Sequence, residues 1–282
     1  MSEDQPCLGA PVRQARLRVL GSFELWSSVG ADVTPTLSTD ERRLLAVLAA
    51  SPAPPSARSL ATLLWPELAT DTALGTLLGV QDSLGDLIDT QGGRPRLVDW
   101  IEVDLARALV LLRGWQHDPF QVDSASLTEL VELLSQDLLP GWGDAWARHE
   151  RDRLHQVQLH ALESLCTRLT ALGQHELAIR AGGYVVAAEP LREEARRALI
   201  EAHLAAGNVS EAVHQYDKFV QTCAKLGLVP GAELSAFFPP SPAWPVLHVR
   251  RPVHVGAASV GRGLWLDPQP RRVQAGAGAA RA

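Results

Sequence analysis

Residues 171–178 read ALGQHELA, and residues 205–212 read AAGNVSEA. Aligned, they superpose Gly173 on Gly207 and Ala178 on Ala212, a period of 34. That is the tetratricopeptide period, with two antiparallel helices per unit and small residues where they cross. Gly173 and Gly207 fit the turns inside each pair, because glycine enters left-handed backbone at no steric cost. Pro190 fits the first turn of the next helix. Helices stacked in this way bury a shared core and leave a concave groove that binds protein segments or helices. Tyr184, Tyr216 and Phe219 fall on the second helices as large packing residues. Tyr184 and Tyr216, with Trp65 upstream, are the candidates for protein contact.

Upstream of the repeat, a long helical pattern covers about 144–172, apolar at Leu154, Val157, Leu159, Leu162, Leu165 and Leu169. Its charges, Arg148 to Arg153, read as a solvated face. Before it, Asp123 or Ser124 starts an amphipathic helix, Ser126 and Glu129 have capping-box spacing, and Pro140–Gly141 ends the segment. Residues 106–122 have poor periodicity and read as a linker. A last turn at GLVPG closes a helical domain over 123–236.

The N-terminal third has a different rhythm. ARLRVLGSFELW (15–26) alternates with period 2 around Gly21 and Ser22, a short β-element. Leu37, Ser38 and Glu41 then have the form of a hydrophobic staple and capping box, opening a helix over about 40–50. Pro52, Pro54 and Pro55 stop it. Ser56 can cap a second helix ending at Trp65–Pro66. Thr70 or Asp71 can cap a third, running to about Ile88 and burying Leu74, Leu77, Leu84 and Ile88. RPRLVDWIEVDL (94–105) reads as a hairpin. Sheet, three helices and hairpin over 15–105 is winged-helix order, in which the third helix enters a major groove and the hairpin is the wing. The fold class is mainly α with a small β part: a winged helix-turn-helix followed by a tetratricopeptide-like repeat domain.

LRVLGSFELW, ERRLLAVLAA, SARSLATLLWPE and RPRLV…VDL resemble the OmpR-like DNA-binding domain of the Streptomyces antibiotic regulatory protein (SARP) type. LLPGW, WARHERDRLHQVQLHALESL, AAEPLREEARRALIEAHLAAGNVSEAVHQYDKF and LGLVPGAEL resemble the bacterial transcriptional activator domain that follows it in that family. The resemblance covers about 15–236, and its second half is the more specific. It implies a cytoplasmic activator that binds DNA repeats near promoters and contacts RNA polymerase. The family's third helix carries several arginines. Here those positions fall on Leu78, Ser83 and Gly85, and no Lys or Arg lies between Glu67 and Gly93.

Charge sharpens that departure. The net charge is −6 over 282 residues. Between residues 13 and 104, eight arginines face twelve acids. Asp82 and Asp86 repel phosphate, and an aspartate cannot release counterions, although it can accept from a cytosine amino group. The candidate DNA contacts are Arg42, Arg43, Ser56, Arg58, Thr76, Gln81, Ser83, Arg94 and Arg96. Arg58 and the free amides after Ser56 suit one phosphate. Residues 1–14 read as a disordered N-terminus. Residues 237–282 read as a disordered tail rich in Pro and Gly, with six arginines against Asp267 alone.

Enzyme chemistry finds no pattern. There is no phosphate-binding loop, nucleophile elbow or H-E-x-x-H motif. His149, His155 and His160 are spaced by six and five, which does not stack two imidazoles on one helix face. Cys7, Cys166 and Cys223 are too sparse for a disulfide framework or zinc site. No stretch approaches the roughly 20 apolar residues of a membrane span. No cofactor or metal is expected. Two readings stay open. One is a regulator whose partners are promoter DNA and RNA polymerase or another regulator, with a possible homodimer. The other is a protein-interaction adaptor whose winged helix binds DNA weakly or not at all.

Overall fold

The computed structural model describes residues 14–118 and 122–238. Cys7, Arg13, the expected disordered N-terminus up to residue 13 and the arginine tail beyond Phe238 lie outside the described residues.

Strands β1 (Ala15–Arg18) and β2 (Glu24–Trp26) pair antiparallel, with Leu17 opposite Leu25. Ala15 and Leu17 are buried while Arg16 and Arg18 face out, the alternation that a half-covered sheet requires. Strand β5 (Ile101–Val103) lies parallel to β1 on its other edge, giving the order β2-β1-β5. Helix α1 (Thr39–Ala50) opens on the expected capping box. Ser38 Oγ accepts from the Glu41 N–H at 3.3 Å, and the Glu41 carboxylate accepts from the Ser38 N–H at 2.6 Å. Helix α2 (Ala57–Leu64) is capped by Ser56, whose Oγ accepts from the Ser59 N–H at 3.1 Å.

Helix α3 (Thr70–Leu84) starts after Ala69 with no side-chain cap, so neither Thr70 nor Asp71 caps it. It stops at Gly85, where φ is +49°, short of the expected end at Ile88. The break frees Ile88 to begin a strand. Strands β3 (Ile88–Asp89) and β4 (Arg96–Leu97) then form the wing hairpin. The expected hairpin over 94–105 is therefore displaced. Its first half is the return strand of the wing, and its second half joins the other sheet.

The expected linker 106–122 is mostly helix α4 (Asp104–His117). It buries Leu105, Ala108, Leu111, Leu112 and Trp115, a helical spacing masked in the sequence by apolar residues on its other faces, Ala106 and Val110. Helix α5 (Ser124–Leu134) is capped by Asp123, which accepts from the Ser126 N–H at 2.8 Å. Glu129 does not complete a capping box there, because it pairs with Arg107 of α4 at 2.8 Å.

Helices α6 (Ala145–Ala171), α7 (His175–Ala188), α8 (Glu193–Ala205) and α9 (Val209–Lys225) stack as two antiparallel pairs, α6 also touching α8. Gly173 and Gly207 take φ of +76° and +77° at the turns. Pro190 sits in the turn before α8, not in its first helical turn. Gly182 marks the tightest crossing. A Cβ there would lie 2.8 Å from Cys166 Sγ and 3.3 Å from Leu199 Cβ. Cys166 and Cys223 are buried and unbridged. Helix α10 (Ala232–Ser235) sets Leu234 among Ile200, Phe219 and Cys223.

One buried apolar cluster runs from Leu17 and Leu44 through Trp115 and Leu130 to Leu162 and Leu199. The winged part and the helical part share it. Polar bonds stitch the same seam. The half-buried Asp104 carboxylate accepts from the Val19 N–H at 3.0 Å and the Leu20 N–H at 2.9 Å. The Gly21 N–H donates to Asp137 O at 2.8 Å, and the Leu139 N–H to Val19 O at 2.9 Å. Arg151 donates to Leu138 O at 2.7 Å and to Leu139 O.

Candidate nucleic-acid interface

Most of the candidate arginines are already engaged. Arg42 donates to Thr34 O at 2.8 Å, holding the turn before α1. Arg43 is four-fifths buried, bonds to Leu64 O at 2.6 Å and pairs with Asp144 at 2.7 Å. It fastens α1 to the end of α2 and to the start of α6. Arg96 pairs with Asp89 across the wing at 2.6 Å. A hydrogen bond from the Gln91 N–H, and then the Arg96 guanidinium, hold the Asp89 carboxyl below its ordinary range.

Two other expectations are overturned by burial. Gln81 is only 8% exposed and lies among the inward residues Ala73, Leu77 and Leu84 of α3. A side chain on that face cannot reach a base edge. Trp65 is 5% exposed, and its indole N–H donates to Asp40 at 3.3 Å, so it is core and not a contact for a partner. Ser83 is exposed but donates to Glu41 at 2.7 Å. Thr76 is half-buried and donates to Thr72 O at 3.1 Å.

What remains is one edge. Arg58 is exposed at the start of α2, and its guanidinium meets no acceptor among the described residues. Arg94, on the wing, is exposed and reaches Pro54 O at 3.2 Å, in the loop entering α2. Wing and α2 N-terminus are thereby brought together. Ser56 supplies the cap beside them, and the amides of Ala57 and Arg58 point out of the helix start. Arg58 beside a helix N-terminus suits one backbone phosphate, and the wing cation Arg94 suits a second.

Helix α3 presents no cation. Its exposed residues are Asp71, Thr72, Gly75, Leu78, Gly79, Asp82 and Ser83. Gly75 and Gly79 lie inside the helix and cost roughly 1 kcal/mol each relative to Ala. Neither has any atom within 4 Å of the position its Cβ would take. Gly85 carries no such cost, because its positive φ ends the helix.

In the helical part, Tyr184 is half-buried and its hydroxyl donates to Asp137 at 3.4 Å. Burial, and then the Asp137 carboxylate, push its phenol up to about 12. Tyr216 stacks 5.2 Å from the Phe238 ring and packs over the Phe219 cluster. Both tyrosines are engaged within the chain. Among the described residues no three His, Cys, Asp or Glu side chains converge as a metal site, and no helix is long and apolar enough to cross a membrane.

Fold and site together define a winged helix-turn-helix fused to a helical-repeat platform. Residues 121–238 match the bacterial transcriptional activator domain. The EmbR protein of Mycobacterium tuberculosis, solved in complex with a low-affinity phosphopeptide, is similar in structure with a TM-score of 0.58 and 20% identity. The match covers 79% of this chain and 64% of that one. At that identity it is a likeness of fold. No curated protein sequence matches the chain. The domain match thus covers the helical part of the chain, and the likeness to EmbR extends over winged and helical parts as a shared fold.

Proposed function

We propose that this chain is a cytoplasmic transcriptional activator that docks promoter DNA through the Arg58–Arg94 edge of its winged helix and meets RNA polymerase or a partner regulator through residues 123–236. The carrying observation is the Arg94 bond to Pro54 O, which sets a wing cation against the loop that enters α2. Phosphate contact then dominates, because α3 offers no basic side chain for base readout. The test is a titration of the full chain against a duplex from its own upstream region at two salt concentrations. Two phosphate contacts predict a slope of log K on log salt near −1.8, and Arg58→Ala or Arg94→Ala should each lower its magnitude by about 0.9. Absence of binding at low salt overturns the reading.

A second reading, the protein-interaction adaptor, is favoured by one observation: Leu78 is 58% exposed in the middle of the helix that should read bases.

A further inference from the structure

Gly182 and the Gly75/Gly79 pair make opposite cases. At Gly182 the chain itself explains the glycine, because Cys166 and Leu199 occupy the space a side chain needs. At Gly75 and Gly79 nothing among the described residues does, and the helix carries their cost with no return from them. Local rules broken without compensation inside a fold mark functional positions.

Helix geometry puts Gly75, Leu78, Gly79 and Asp82 on one stripe, with Asp71 one turn before Gly75. The stripe runs for about 16 Å. Its middle is smooth and apolar, with Leu78 standing in solvent. Its ends are carboxylates, Asp71 and Asp82, that have no ion-pair partner among the described residues. Two adjacent turns without side chains let a second helix approach closely, with Leu78 as the knob. The end charges select what approaches. DNA phosphates are repelled. A second copy of the same face brings like charges together. A cationic helix gains at both ends.

We infer that the outer face of α3 is a docking surface for an amphipathic helix with basic flanks on a partner protein. A duplex docked on the wing and α2 would cover this same face, so the partner helix and DNA would compete for it.

The probe is a labelled 18-residue Leu/Lys amphipathic peptide, with a matched Leu/Glu peptide as control, titrated against the full chain by fluorescence anisotropy. Binding of the Leu/Lys peptide should be about tenfold tighter or more than that of the Leu/Glu peptide. Gly75→Gln with Gly79→Gln should raise the melting temperature, because glutamine is the better helix former, yet weaken peptide binding about tenfold by filling the approach. Asp71→Lys with Asp82→Lys should reverse the preference between the peptides. Equal binding of the two peptides overturns the inference, and so does indifference to the glutamine pair. A dimer in light scattering that the glutamine pair dissolves would assign the face to a second copy. A duplex that displaces the peptide with the same variant sensitivity would assign it to DNA.

Discussion

Asp104 shows how much one side chain can hold in this molecule. Its carboxylate takes the Val19 and Leu20 amides from the end of β1 and the Leu105 amide from the start of α4. Removing it leaves buried donors without an acceptor, each costing about 1–3 kcal/mol. Asp104→Ala should therefore destabilise the chain by about 2–4 kcal/mol in urea unfolding, and Asp104→Asn by less, since an amide oxygen still accepts. Burial holds the Asp104 carboxyl above its ordinary 3.8, against the pull of the amides. The folded state thus binds the proton more tightly than the unfolded chain. That contribution is full below 3.8 and is lost as pH rises through the folded value. The stability advantage over Asp104→Asn should shrink in that direction. Glu41 behaves oppositely. The Ser38 N–H, then the Ser83 hydroxyl, hold its carboxyl below 4.5, so its contribution is present above 4.5 and lost as pH falls through the folded value. Ser38→Ala, which breaks the same cap, should cost about 1 kcal/mol.

At the scale of elements, legibility follows how local the cause is. The capping box at Ser38 and the 34-residue repeat depend on neighbours a few positions or one unit away, and the sequence shows both. Helix α4 depends on a core contributed by β1, α1 and α5, so its inward residues cannot be told from its outward ones in the bare chain. The recognition-helix positions divide in the same manner. The absence of cations on α3 is visible in the letters, whereas the burial of Gln81 and Trp65 is a matter of rotation against α1 and α2. Arg94 and Pro54 are 40 residues apart, and only the fold of the wing brings that arginine to the loop before Arg58. Helix α8 carries a further prediction. Arg196 is 1% exposed, its one direct polar partner among the described residues is Gln215 at 2.6 Å, and its Nε meets no acceptor. Burial lowers its pKa. A buried charge so thinly compensated contributes little to stability, and a shape-matched apolar residue is often neutral or better. Arg196→Met should leave stability unchanged or raise it by about 1–2 kcal/mol, since Gln215 retains Glu211 at 2.9 Å. A clear loss in thermal melting would show that the guanidinium over Phe219, 5.7 Å from its ring centroid, stabilises more than its burial costs.

At the scale of the molecule, the expected split into two domains with a linker meets a continuous core. Trp115 is buried where the winged part meets the helices, and Leu138 and Leu139, after α5, lie against residues 19–21. Arg43 bridges α1 to Asp144 at the start of α6. A domain boundary that melts independently needs few crossing contacts and a solvated linker. Here the segment expected to be that linker is α4, packed on both sides. The described chain should therefore unfold in one cooperative transition, with calorimetric and van't Hoff enthalpies equal. Asp144→Ala removes one carboxylate from a mostly buried Arg43, which keeps Asp40 at 3.5 Å and Leu64 O, at a cost of about 1–3 kcal/mol. If the two parts are one unit, that loss lowers the melting of winged helix and repeat together, reported by amide exchange at Leu44 and at Leu199 alike. Two separable transitions, with only the first shifted by Asp144→Ala, would mean the seam is an interface between domains that dock and release. In that case the position of α3 and the Arg58 edge relative to the activator domain would itself be adjustable by a partner.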